Sequence, residues 1–295
     1  MFVPGDKQRM LDKALNLHVD SIMLDIEDGV APAEKENARR QIAATLDATA
    51  ARLRSDPALR TPARYVRVNA VGSERMRDDL ASVVRPALEG LVLPKVETPG
   101  QIAILEDILG RSEAEAGIPA GSVRLLLAIE SPVGLFNAYG IAASSRRVIG
   151  LIFGAEDFCR EMALPLRREA EASELIYARS HIATAAAAAH VQAVDGVWTD
   201  LEDPGGMQRH ALQARRLGMS GISIIHPSQI DAANAAFTPT PDELKYAGEV
   251  LQAFEAARAR GDGAIALRGQ LLDYPIVDRA RQTVALARSL GVPGV

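Results

Sequence analysis

Polar and charged residues close one short apolar run after another along this chain. Asp25-Ile26-Glu27-Asp28, Arg67-Val68-Asn69, Lys95, Glu130-Ser131, Glu156-Asp157, Asp200 and His226 each end or directly follow a stretch rich in Val, Ile and Leu. If those stretches are strands of a parallel barrel, the side chains at their C-terminal ends converge on one mouth. Several carboxylates gathered there repel one another unless a cation or an arginine compensates. The chain has one cysteine, Cys159, and five histidines that form no cluster, so ligation by oxygen is left, which suits a hard cation such as Mg²⁺. Glu130 and Asp157, on the ends of adjacent strands five and six, are the expected metal pair. Two carboxylates suffice because Mg²⁺ keeps waters and substrate oxygens as its other ligands. Arg67 offers a planar fork for a substrate carboxylate.

Each of these residues also has a plainer role. Asp25, Glu27 and Asp28 can cap the following loop and pair with Arg67 or Lys95, supporting the site from behind. Glu130 can be a structural salt-bridge partner, although Ser131-Pro132 interrupts the strand where a site would lie. Position alone does not separate Glu156 from Asp157. His226, before Pro227, reads as a hydrogen-bonded loop histidine more readily than as a base. Cys159 has no adjacent base to activate it and reads as buried and inert. His181, His190 and His210 fall on helical segments as surface or packing residues. Neither Pro4-Gly5-Asp6 nor Gly154-Ala155-Glu156-Asp157 is a phosphate-loop or dinucleotide fingerprint.

Eight apolar runs are available to position these groups, over residues 1–4, 21–27, 65–69, 90–96, 124–131, 148–153, 194–199 and 221–226. They are nearly continuous rather than alternating, as strands of a parallel sheet covered on both faces must be. Helix-like stretches lie between them, among them 6–17, 34–46 with acidic residues at its start, and the Ala-rich 170–189. Eight such alternations predict a (β/α)₈ barrel over residues 1–235, with an open doubly wound sheet as the alternative. The remaining 236–295 exceed what an eighth helix needs. They read as helices over 242–260 and 277–290 around a Gly261-Asp262-Gly263 break, a hinge for a lid or for an arm onto a neighbouring subunit.

Composition narrows the class. With 295 residues, 48% apolar and 24% charged, the chain can bury a large core and is not globally disordered. A net charge of −5 with no basic tract argues against nucleic acid or an anionic membrane surface as the main partner. No apolar run reaches the roughly 20 residues that span a bilayer, and residues 1–4 are too short for a secretory leader. A cytoplasmic protein is expected.

In order along the chain, Phe2-Val3-Pro4-Gly5-Asp6, Leu24-Asp25-Ile26-Glu27-Asp28-Gly29-Val30-Ala31-Pro32, Val66-Arg67-Val68-Asn69, Leu93-Pro94-Lys95-Val96-Glu97, Ile129-Glu130-Ser131, Phe153-Gly154-Ala155-Glu156-Asp157-Phe158, Ile225-His226-Pro227-Ser228-Gln229-Ile230 and Leu272-Asp273-Tyr274-Pro275 resemble the citrate lyase β-subunit family. That family sits in the broader HpcH/HpaI aldolase superfamily with malyl-CoA and citramalyl-CoA lyases. The resemblance implies a (β/α)₈ barrel with a C-terminal extension, assembled as a homotrimer or hexamer. It implies Mg²⁺ on Glu130 and Asp157, Arg67 on the keto-acid end of the substrate, and Asp273 reaching a neighbouring subunit's site. Lys7, Arg9, Lys13 and Lys35, near the mouth, are the candidates for CoA phosphates. The sequence departs from the family in residues flanking the acidic run of strand two and at Gln270 and Tyr274; neither departure removes a functional group.

The implied reaction is cleavage of a 3-hydroxy-dicarboxylyl thioester, of malyl-CoA or citramalyl-CoA type, into a 2-keto acid and an acyl-CoA. Mg²⁺ and Arg67 would stabilise charge on the keto-acid oxygens, and Asp273 would protonate the thioester enolate carbon. The alternatives are a citryl-carrier lyase β chain, a malyl-CoA thioesterase, an aldolase acting on free hydroxy acids, and an idle binding subunit.

Overall fold

The computed structural model describes residues 1–166, 172–260 and 265–292. Its central element is a sheet of eight parallel strands in sequential order: β1 (Phe2–Pro4), β2 (Ser21–Asp25), β3 (Ala63–Arg67), β4 (Gly90–Leu93), β5 (Arg124–Ile129), β6 (Val148–Phe153), β7 (Gln192–Asp195) and β8 (Gly221–Ile222). The sheet curls back on itself. The amide of Phe2 donates to the carbonyl of Ile224 at 2.9 Å, so the chain just past β8 bonds to β1 and an α/β barrel results.

Along β2, β3 and β5, alternate residues face inward. Met23, Val92, Leu126, Ala128 and Ile152 are buried together in the barrel interior with Phe2, Tyr65 and Val194 packed on them. The outward set, including Leu24, Val66, Leu91, Leu125, Leu127 and Leu151, is fully buried under the surrounding helices. Burial on both faces is the reason the strands read as unbroken apolar runs. The same period of two decides the site. Two residues beyond inward Met23, Tyr65 and Ala128 stand Asp25, Arg67 and Glu130.

Six of the eight strands, all but β1 and β6, end earlier than their apolar runs. The expected strand over 194–199 is β7, Gln192–Asp195, and Asp200 lies in the exposed loop beyond, where its Oδ1 accepts the amide of Glu202 at 2.9 Å. Trp198 carries the apolar pattern past the strand because its ring packs on His210, with centroids 5.5 Å apart. The helix expected from residue 34 runs Lys35–Ser55, and the Ala-rich one is Ile176–Ala188 after a 3₁₀ turn at Ser173–Leu175. Residues 170 and 171 lie outside the described residues, as does the expected Gly261–Gly263 hinge.

The chain divides into two compact units, Met1–Ala233 and Asn234–Val295. The second has its own core of Val250, Phe254, Leu272, Val277 and Ala280 between helices Pro241–Arg260 and Tyr274–Ser289. It also holds an antiparallel hairpin, β9 (Ile265–Leu267) and β10 (Gln270–Leu272), that was not expected. Its two-residue turn, Arg268-Gly269, has positive φ at both positions (53° and 79°), the signature of a tight hairpin turn with only the glycine free of strain.

Candidate active site

A cavity of about 300 Å³ opens at the C-terminal ends of the strands, lined by polar Asp25, Arg67, Glu130, Glu156, Asp157 and Ser223 and by apolar residues that include Phe2, Val3, Val197 and Ile225. Glu130 directly follows β5. Ser131 stops the strand there: its hydroxyl caps the helix Pro132–Phe136 by accepting from Gly134 N at 3.0 Å, and bonds Glu97 at 2.7 Å. Gly154, directly after β6, lacks the Cβ that would collide with the Glu130 side chain. The Glu130 carboxylate is thus seated against a neighbouring backbone.

Asp25 is 3% exposed and accepts four hydrogen bonds. Arg67 donates Nε to Oδ1 at 2.7 Å and Nη2 to Oδ2 at 2.6 Å. The amides of Glu27 and Gly29 supply 2.9 and 2.8 Å bonds. This fork fixes the plane of the Arg67 guanidinium side-on, which lies over the Phe2 ring at 4.9 Å. On the other edge Nη1 faces Glu27 Oε2 at 3.4 Å, and Arg67 also borders the cavity. Burial pulls the Arg67 pKa down, and the Asp25 pairing more than reverses it, so the net shift is upward.

Lys95 pairs with Glu27 and, at 2.9 Å, with Asp28. These contacts outweigh burial and raise the Lys95 pKa; in turn Lys95 outweighs burial of Asp28 and lowers that carboxyl. Lys95 adopts φ 55°, a left-handed conformation that costs a lysine about 1 kcal/mol or more. Asp25, Glu27 and Asp28 therefore cap and pair as their plainer reading held, around Arg67 and Lys95.

Glu130 differs from these paired groups. It is 6% exposed, and among the described residues its Oε2 has no hydrogen-bond partner. Burial, then the charges of Asp157 and Glu27, push its carboxyl up to about 8 against the pull of Arg67 and Lys95. Asp157, in the first turn of helix Ala155–Glu161, is paired with exposed Arg160 at 2.5 Å. An orphaned carboxylate oxygen beside a second carboxylate is what a hard cation would satisfy. The described residues contain no group of three or more Asp, Glu, His or Cys able to hold a metal, but two carboxylates are the protein share that Mg²⁺ takes beside water and substrate oxygens.

Other expected residues lie elsewhere. Lys7, Arg9 and Lys13 are exposed and do not line the cavity; Lys7 pairs with Asp6 at 2.6 Å. Lys35, a candidate for phosphate, is instead buried, and its ammonium donates to Ile26 O, Glu27 O and Asn69 Oδ1 at 2.8–2.9 Å. It pins the loop carrying Glu27 to the end of β3, where fully buried Asp79 holds Asn69. Sequence reading missed this scaffold, since a lysine at a helix start carries no sign of being turned inward. His226 is a loop cap, with Nδ1 on Ser228 Oγ at 2.8 Å. Asp273 caps Tyr274–Ser289 in the second unit, its Oδ1 accepting from Ile276 N at 3.2 Å.

Residues 1–227 match the family model HpcH/HpaI aldolase/citrate lyase. The chain is 38% identical to citrate lyase subunit beta of Escherichia coli (strain K12), over 99% of this chain and 93% of that protein. It is 32% identical to human mitochondrial citramalyl-CoA lyase, over 98% and 85% of the two chains. It is also 32% identical to the (3S)-malyl-CoA thioesterase of Cereibacter sphaeroides, over 98% and 94%. Among solved structures, protein CitE from Mycobacterium tuberculosis in complex with magnesium, acetoacetate and coenzyme A is similar at a TM-score of 0.77 and 29% identity, covering 97% of this chain and 96% of that one. With most of its length matched by the family model and with relatives aligned end to end, the chain belongs to the HpcH/HpaI aldolase/citrate lyase family.

Proposed function

We propose that this chain is a Mg²⁺-dependent carbon–carbon lyase that cleaves a 3-hydroxy-dicarboxylyl thioester, of malyl-CoA or citramalyl-CoA type, into a 2-keto acid and an acyl-CoA. The observation that carries the reading is the buried Glu130 carboxylate, whose Oε2 has no hydrogen-bond partner among the described residues, beside Asp157 in a cavity that also presents Arg67. Glu130 and Asp157 would hold the cation. When bound, Mg²⁺ supplies positive charge that polarises the substrate's hydroxyl or keto oxygen. Arg67, its plane fixed by Asp25, borders the cavity and would bind the adjacent carboxylate and hold it through the reaction. Such preorganised charge is worth most where new charge develops. Asp273, from a neighbouring copy in a homotrimer or hexamer, is the proposed donor of the proton that the enolate carbon gains. A cytoplasmic location agrees with the single cysteine.

One observation favours a second reading. Identity to the citrate lyase β subunit is 38%, against 32% for citramalyl-CoA lyase, so a carrier-bound citryl thioester is the competing substrate. The test is to follow keto acid and free thiol separately when the purified protein meets malyl-CoA, citramalyl-CoA or citryl-carrier thioester, with Mg²⁺ or EDTA. Metal-dependent keto acid without thiol supports the lyase and names the acyl group. Thiol without keto acid overturns it in favour of a thioesterase.

A further inference from the structure

Besides Glu130 Oε2, one other buried side-chain oxygen on the wall of the active cavity has no hydrogen-bond partner among the described residues: Ser223 Oγ. Ser223 is 1% exposed and directly follows β8, with its amide bonded to Asp195 O at 2.9 Å. A buried hydroxyl left unpaired costs about 1–3 kcal/mol. The mechanism above does not use it.

Strand register connects the two orphans. β5 and β6 pair Ile129 with Phe153, β6 and β7 pair Ile152 with Val194, and β7 and β8 pair Asp195 with Ile222. Continued past the strand ends, one rung of the wall reads Glu130, Gly154, Gly196, Ser223. Neither intervening position carries a side chain. A Cβ on Gly154 would strike Glu130, and one on Gly196 would stand 2.9 Å from Ala155 Cβ. Three strand spacings of about 4.8 Å separate Glu130 from Ser223 along the wall, and the straight path across the cavity is shorter. Val3, Val197 and Ile225 also line the cavity, whose one cationic lining residue among the described residues is Arg67.

We propose that Ser223 is a specificity-determining residue: its hydroxyl receives the substituent on the keto carbon of the substrate's 2-keto-acid half and selects a substituent that bears an oxygen. This rests on the carbon–carbon lyase reading, with the keto and carboxylate oxygens held at the Glu130–Arg67 end; malyl-CoA and citramalyl-CoA would release keto acids bearing only hydrogen or methyl there, so the assignment favours the citryl-type thioester of the second reading. The glycine-lined rung leaves room for the remaining substituent to extend toward Ser223. An apolar wall alone discriminates weakly between a methyl group and a polar group of similar size. A wall with one unpaired hydroxyl penalises any ligand that cannot pair it.

The test is calorimetric titration, in Mg²⁺, of wild type, Ser223→Ala and Ser223→Thr with pyruvate, 3-hydroxypyruvate and freshly neutralised oxaloacetate. Wild type is expected to bind 3-hydroxypyruvate or oxaloacetate more tightly than pyruvate. Ser223→Ala should weaken the favoured oxygen-bearing ligand roughly tenfold while leaving pyruvate within about twofold, as loss of one hydrogen bond predicts. Ser223→Thr, which keeps the hydroxyl, should retain the preference. Which of the two oxygen-bearing acids loses affinity tells a charged from an uncharged substituent. Equal affinities in wild type and Ser223→Ala, or equal losses for all three acids, overturn the assignment. Wild type that binds none of the acids overturns it together with the lyase reading. Ser223-dependent binding without turnover of any thioester sustains the assignment and overturns the lyase reading alone.

Discussion

Glu130 and Arg67 stand at strand ends two apart in the sheet, with β4 between them, and are opposite in electrostatic state. Arg67 is compensated before any substrate arrives, whereas Glu130 waits with a proton. With its carboxyl at about 8 in the folded protein and 4.5 as the ordinary value, a cation must displace that proton at neutral pH. Mg²⁺ affinity is therefore expected to rise up to about tenfold per pH unit between pH 6 and 8 and then level. Calorimetry in buffers of different ionisation enthalpy should detect about one proton released per Mg²⁺ at pH 7. The sign for stability is opposite. The folded, metal-free protein keeps a proton that the unfolded chain loses above pH 4.5, so stability in EDTA should fall as pH rises toward 8. Glu130→Gln should abolish that slope in thermal melts and weaken Mg²⁺ binding at least 100-fold. Arg67→Lys cannot reproduce the Nε/Nη2 fork to Asp25, and keto-acid affinity should drop about 10- to 100-fold; an unchanged affinity removes the clamp role. At this scale the convergence of Asp25, Arg67, Glu130 and Asp157 on one cavity was legible, because a barrel gives strand ends to its mouth, whereas Asp200 and His226 do not line it. Lys35 and Ser223 were not legible. One looks like any helical lysine, and the other's importance lies in a partner it lacks.

The elements decide which way those residues face. Period-two alternation carries the interior from Met23, Tyr65 and Ala128 directly to Asp25, Arg67 and Glu130, so a one-residue slip of β5 would turn Glu130 into the helical layer. Gly154→Ala forces the Glu130 side chain or the end of β6 to move. It should cost about 1–3 kcal/mol in denaturant unfolding and weaken Mg²⁺ binding without removing any ligand. Normal binding in that variant would show that the Glu130 seat is softer than its packing implies. Helix and strand types were readable from periodicity and burial, but the C-terminal limits of β2, β3, β4, β5, β7 and β8 were not. Apolar character continues past the last ladder bond wherever the loop itself is buried, as at Ile26, Val68 and Val96. The β9–β10 hairpin escaped because strands of three residues are too short to show a period.

For the whole molecule, no helix among the described residues is long and apolar enough to cross a membrane. Acid tolerance depends on ion pairs far from the cavity. Glu113, held down to about 2 although burial alone would raise it, takes two hydrogen bonds from Arg147 and two from the amides of Gly121 and Val123. Its contribution is present above its ordinary pKa of 4.5 and is lost as pH falls from there toward 2. Glu113→Gln should lower stability at pH 7 by about 1–3 kcal/mol, because the partly buried Arg147 guanidinium then keeps only Glu106, at 3.6 Å, as its carboxylate partner, and should flatten the acid limb of the unfolding curve. The bond from Phe2 to Ile224 joins positions 222 residues apart in the chain. On a ribosome adding roughly 5–20 residues each second, the first strand would wait some 10–45 s for the backbone that completes its ladder. Phe2, Val3, Ser223 and Ile225 meet only then, so a nascent chain carries no finished pocket until translation has passed the eighth strand, and its early segments must stay out of trouble as an open-edged sheet in the meantime.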